Sequence, residues 1–261
     1  MLSADLAIFL ASIFLAVIVS SATLPIVELA RGQQTDPYTF AENTSPYGIP
    51  FKIWVEKWQQ WYVNVTKDVI DKWNTPNIVS VDCLYHQKQG TSTVFVPYVA
   101  AEKGSTATMT CHIPQGKALL ISIDGGVNDY RDPTVQPKTP QEILNLVTKS
   151  NVYPNSFDAT LNGHPLHLTN DEIYKVTTDL FNLTLPSNNL WSPQEAPGPG
   201  DTAIVQGWWL FLKPLPVGDN ILHYITGYRD SKSDPTIPPG QGNTSPYIQD
   251  VTIHFIVSPP V

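Results

Sequence analysis

Apolar and polar positions follow three successive patterns along the chain. In the first, Leu6 to Val27, no charged residue occurs, and the run matches the roughly 20 apolar residues that span a bilayer core as a helix. In the second, Phe51, Trp54, Trp58, Trp61, Val65 and Val69 recur at three- and four-residue steps, the period of one helix face. Lys52, Glu56, Lys57, Gln60, Lys67 and Asp68 fall mostly off that face. Pro50 stands at its start and Pro76 beyond its end, so the pattern predicts one helix over 50–73. Its Trp-rich face is expected to lie on a sheet as core.

The third pattern begins near residue 91 and has period two, with many β-branched residues. Thr91 to Tyr98 and Thr106 to Ile113 read as strands joined by a turn around Lys103-Gly104. Ala118 to Ile123 is a nearly continuous apolar run, the sign of a strand buried on both faces. Phe157 to Leu161 followed by Asn162-Gly163 predicts a hairpin with a type I′ turn. Trp208 to Leu212, Asn220 to Tyr228 and Gln249 to Val257 complete the strands. Thr139-Pro140-Gln141-Glu142 is a capping box with proline at the first helical position, opening a short helix to about Lys149. The stretches 28–49, 189–201 and 230–246 are rich in proline and glycine and read as a linker and two loops. Asn-Thr-Ser-Pro-Tyr occurs at 43–47 and 243–247 with unmatched flanks, which indicates two similar turns rather than a repeat.

These elements predict a mainly β fold: an antiparallel β-sandwich with one Trp-rich amphipathic helix and a short second helix, preceded by an N-terminal transmembrane or signal helix. The expected divisions are 1–27 as signal peptide or membrane anchor, 28–49 as linker, and 50–261 as the sandwich domain. Composition agrees, because 24 prolines in 261 residues suit short strands and turns rather than long helices. Hydrophobic residues make up 42%, enough for a sizeable core. The net charge of −8 argues against nucleic acid as a partner.

Two readings of Leu6–Val27 compete. Ser20 and Ala22 could mark a cleavage site, but no Lys or Arg precedes Arg31, as a signal peptide would require. The longer apolar run favours a membrane anchor, with the rest of the chain outside the cytoplasm. Cys83 and Cys111 are the two cysteines; in an exported domain they are expected to form a disulfide, the alternative being two buried thiols. Acceptor sequons occur at Asn43, Asn64, Asn182 and Asn243. Asn182 lies in an apolar strand-like run and is the least suited to carry sugar, leaving Asn43, Asn64 and Asn243 as the N-glycosylation candidates.

Catalytic signatures are scarce. The chain lacks Gly-x-Ser-x-Gly, His-Glu-x-x-His, Cys-x-x-Cys and a phosphate-binding loop. Asp124, Asn128, Asp129 and Asp132 crowd oxygen donors around Gly125-Gly126. They are candidate calcium ligands if the segment is a loop, although an Asx-rich turn bonding its own backbone accounts for the same residues. His86 and His112 follow the cysteines and would meet near a disulfide, yet no transition-metal ligand set is assigned. In Gly207-Trp208-Trp209 one indole enters the core; the other packs under the helix or offers a stacking surface for a glycan.

Several segments carry a resemblance. Trp54-x3-Trp58-x2-Trp61, Cys111-His-Ile-Pro-Gln-Gly-Lys-Ala, Phe181-Asn-Leu-Thr-Leu-Pro and Gly207-Trp-Trp-Leu-Phe-Leu-Lys-Pro-Leu-Pro-Val-Gly, with the final Val251-Thr-Ile-His-Phe-Ile-Val, resemble a group of exported archaeal and bacterial proteins of uncharacterised function. The resemblance implies an exported globular domain and no particular reaction. The functional expectation is a membrane-tethered or secreted binding or structural module contacting a protein partner or a cell-surface glycan. The alternative is a polysaccharide hydrolase using carboxylates on the sandwich.

Overall fold

A computed structural model describes residues 36–73, 82–87, 90–99, 106–129, 139–150, 154–166, 175–187, 198–228 and 247–259. The segment Leu6–Val27 lies outside them. Among the described residues no helix is long and apolar enough to cross a membrane.

The helices are α1 (Phe51–Asn64), α2 (Lys67–Trp73) and α3 (Pro140–Ser150). The strands are β1 (Thr93–Val96), β2 (Thr106–Pro114), β3 (Ala118–Asp129), β4 (Pro154–Leu161), β5 (His164–Pro165), β6 (Lys175–Thr177), β7 (Phe181–Leu185), β8 (Gly198–Leu212), β9 (Gly218–Tyr228) and β10 (Tyr247–Ser258). They form two sheets. One runs β1-β3-β8-β6, with β7 also on β8; the other runs β2-β10-β9-β4-β5.

The fold is mainly β as expected, but neither sheet is purely antiparallel. β1 runs parallel to β3, with Thr93 opposite Ala118, and β10 runs parallel to β2, with Val251 opposite Ala107. The two strands expected to meet across a Lys103-Gly104 turn therefore lie in different sheets: the chain leaves the first sheet after β1, builds β2 in the second, and returns as β3.

Burial shows how the layers stack. In β3, Leu119, Leu120 and Ile121 are all buried, so the middle of the first sheet is covered on both faces. On one face α1 rides over β8. Phe51 and Trp54 meet Phe211 at 5.4 and 5.9 Å between ring centroids, and Trp58 meets Trp209 at 4.8 Å. In the second sheet only alternate residues are buried: Ala107, Met109, Cys111 and Ile113 of β2, and Val251, Ile253, Phe255 and Val257 of β10. That half-buried pattern belongs to a sheet with one solvated face. Its inner face and the first sheet join in a single apolar cluster. α3 packs Ile143 and Val147 against Ile204 of β8.

Two local expectations hold to the atom. Thr139 N–H donates to Glu142 Oε2 at 3.0 Å, and Glu142 N–H donates to Thr139 Oγ1 at 3.2 Å, the reciprocal bonds of a capping box. Asn162 and Gly163 take φ of 52° and 78°, the positive pair that a type I′ turn needs.

Three expectations change. The 50–73 helix is interrupted: Val65 is extended (φ −74°, ψ 128°), and a new helix starts from the Thr66 carbonyl, which accepts from Val69 and Ile70 N–H. Asn64, Val65 and Thr66 are all weak helix formers, so a break there costs little. Residues 198–201, read as loop, belong to β8, where Gly198 and Asp201 pair with Leu185 and Leu183. Residues 36–49, read as linker, are built into the domain. Thr39 bridges Leu212, Phe40 N–H donates to the Phe211 carbonyl at 2.8 Å, and Phe40 and Ile49 pack on the core. The loop expected over 230–246 lies outside the described residues.

Candidate partner-binding surface

Four segments converge at the end of the sandwich where β2 passes to β3 and β8 to β9: residues 36–49, 115–117, 162–164 and 213–217. Side chains tie each of them down. Lys213 Nζ donates to the Pro37 carbonyl at 3.0 Å and sits 5.8 Å from the Phe40 ring centre. Asp36 Oδ1 accepts from Tyr38 N–H at 2.8 Å. Lys117 Nζ donates to the Thr91 carbonyl. Asn220 Nδ2 donates to the Pro216 carbonyl at 2.8 Å, and Asn162 Oδ1 accepts from Ile221 N–H at 2.7 Å.

On these fixed turns, and at the start of β9, stand large side chains that the core does not take in. Tyr38 is 38% exposed, Tyr47 47%, Val217 49% and Ile221 37%. The Tyr38 ring stacks on His164 at 6.2 Å. Tyr47 holds φ of 56°, a strained backbone for a bulky residue. The turn at Tyr47 is locked by Gly48 N–H to the Ser45 carbonyl and by Trp54 Nε1 to the Pro46 carbonyl, both at 3.0 Å. Burial in the lee of Phe40 and Trp54 pushes the Tyr47 phenol pKa up.

The residues singled out by sequence fare differently. Cys83 and Cys111 form the expected disulfide, with Cα atoms 5.5 Å apart and both residues buried. β2 alternation turns Cys111 inward and leaves His112 on the solvated face, so the bond does not gather His86 and His112 around one point. Among the described residues no group of three His, Cys, Asp or Glu is placed to hold a metal ion. The backbone from Asp124 to Asp129 is not a loop: it continues β3, pairing Asp124 with Trp208 and Asp129 with Ala203 after an irregularity at Ser122/Asp124. Asp132 lies outside the described residues.

Both indoles of the Trp pair are buried, Trp208 at 6% and Trp209 at 1%. Trp209 packs under Trp58 of α1, as one reading expected, and Lys175 Nζ lies 5.5 Å from the Trp208 ring centre. The expectation of a stacking surface for sugar is corrected, because neither ring keeps an open face. Asn43 is exposed in its turn, whereas Asn64 is half-buried and its Nδ2 donates to the Gln60 carbonyl at 2.6 Å. Asn243 lies outside the described residues. Tyr38 and Tyr47 escaped sequence reasoning because they sit in a stretch whose composition reads as linker; the Pro-Tyr-Gly at 46–48 was the available signal.

No protein-family model matches the chain, and no curated protein matches it. A chain in the solved structure of PbICP-C in complex with falcipain-2 matches at 14% identity over 64% of this chain and 100% of that one, with a TM-score of 0.19. A likeness at that score carries no argument about fold or function.

Proposed function

We propose that the chain is an extracytoplasmic binding module that engages a protein partner through the turn end of its sandwich. One observation carries this: Tyr38, Tyr47 and Val217 on turns, and Ile221 at the start of β9, each stand exposed on backbone that hydrogen bonds and ring contacts hold fixed. Exposed apolar groups on a rigid frame lose little conformational entropy on binding. Tyrosine in particular offers large, stiff, amphipathic contact area. A protein fits better than a glycan, because Tyr38 already stacks on His164, and Val217 and Ile221 are aliphatic and give no flat face to a sugar. The disulfide supports an oxidising compartment, and Leu6–Val27 supports a membrane tether.

Photo-crosslinking residues at positions 38 and 217 test this in native membranes, with position 248 as control, since Ile248 is 54% exposed but lies at the opposite end of the strands, across from Gly227 of β9. Discrete protein adducts from 38 and 217 but not from 248 are expected. Equal adducts from all three, or none from 38 and 217, would reject the surface.

A further inference from the structure

The sequon that the apolar strand-like run argued against is one that the fold presents to solvent. Asn182-Leu183-Thr184 lies within β7. Strand alternation buries Leu183 and Leu185 against Val63 of α1 and turns the Asn182 and Thr184 side chains to solvent, where both are exposed. The apolar character of the run comes from the residues that point inward; the acceptor and its hydroxyl residue share the open face, about 6.7 Å apart along a strand. Asn64 makes the contrast. It ends α1 half-buried, and its Nδ2, the atom that would carry a sugar, donates into the helix at the Gln60 carbonyl.

We propose that Asn182 is an N-glycosylation site and that Asn64 is not. This rests on the extracytoplasmic reading above. The donor is an oligosaccharide linked through its anomeric carbon to a lipid phosphate. The Asn182 Nδ2–C1 bond forms as the C1–O bond breaks; the phosphate leaves with the electron pair and the amide gives up one proton. Thr184 N–H and carbonyl are both engaged by Gln60, and Asn182 pairs with Thr202 of β8, so transfer takes place before β7 docks. The finished sugar projects from the solvated face beside Leu180, which is 38% exposed, and no buried group moves to accommodate it.

The test is peptide mapping of the full chain purified from its native cells, with and without enzymatic removal of N-glycans, alongside thiol labelling of the unreduced protein. The expected result is sugar on the peptide containing Asn182, none on Asn64, and unlabelled cysteines. The sugar should vanish in Asn182→Gln and Thr184→Ala and persist in Thr184→Ser, all exposed changes that leave the core intact. A bare Asn182, whether other sequons are modified or not, overturns the proposal. If the cysteines remain unlabelled, export still stands; if both cysteines label, export falls with it.

Discussion

The side-chain amide of Gln60 and the backbone of Thr184 exchange two hydrogen bonds: Nε2 donates to the Thr184 carbonyl at 3.0 Å, and Thr184 N–H donates to Oε1 at 3.1 Å. Gln87 does the same for Phe95 of β1, accepting its N–H at 2.8 Å and donating to its carbonyl at 2.7 Å. A glutamine amide thus stands in for a neighbouring strand on the side of β7, and again of β1, that no strand among the described residues pairs with. Unpaired strand edges invite pairing with other chains, and both amides occupy groups that such pairing would use. Gln60→Ala should speed hydrogen exchange at the Thr184 amide and cost about 1 kcal/mol, given partly solvated bonds. The double variant Gln60→Ala, Gln87→Ala should associate with rising concentration, read by light scattering. A folded double variant that stays monomeric would show that the clamps do not guard the edges.

Trp58 joins α1 to the first sheet twice. Its ring meets Trp209 edge-on at 4.8 Å, and its Nε1 donates to the Val96 carbonyl at 2.9 Å. Trp58→Ala should cost about 3–5 kcal/mol. A double-mutant cycle with Trp209→Ala should return a coupling of about 0.5–1.5 kcal/mol, measured by denaturant unfolding. Strict additivity would mean that the two rings only share a core.

Much of this architecture is legible in the chain because it is local. Thr139 and Glu142 bond within one helical turn, and Asn162-Gly163 supplies its own positive φ pair, so short sequence windows suffice. The α1 break is obscured because Val65 and Val69 continue the apolar period while the backbone at Val65 turns extended. The parallel pairing of β1 with β3 and β10 with β2 depends on partners far apart in sequence, and no window reports it. The proposed surface is illegible for the same reason: Tyr38 and Tyr47 are held in place only once Lys213, Phe211 and Trp54 arrive from elsewhere in the chain.

Cys83 follows α2, and Cys111 faces inward from β2, so the disulfide ties the helix layer to the second sheet. Denatured, unreduced protein should take up no alkylating label, and reduced protein two. Reduction should cost about 2–5 kcal/mol and lower the melting temperature. Two labels on unreduced native protein would contradict both the bond and the oxidising compartment.

Tyr62 stacks on Trp58 at 4.6 Å with an interplanar angle of 15°, and burial pushes its phenol pKa well up. A free tyrosine ionises near pH 10. The unfolded chain therefore loses this proton before the folded one does. The associated stability is complete below about pH 10 and is lost as pH rises beyond it. Tyr62→Phe should flatten the fall in melting temperature at alkaline pH. An unchanged slope would assign that fall to other groups.

The most direct measurement is partner affinity across exposed-residue variants of matched stability. Tyr38→Ala, Tyr47→Ala and Val217→Ser remove side chains that are exposed at the turn end, and Ile248→Ser removes one exposed elsewhere. With the crosslinked partner in hand and near-UV dichroism unchanged, at least one of the two tyrosine variants should weaken binding by tenfold or more, the loss expected at an interface hot spot. Ile248→Ser should bind as the unaltered protein does. Full affinity in all three turn-end variants, or an equal loss in Ile248→Ser, would contradict a binding surface at the turn end of the sandwich.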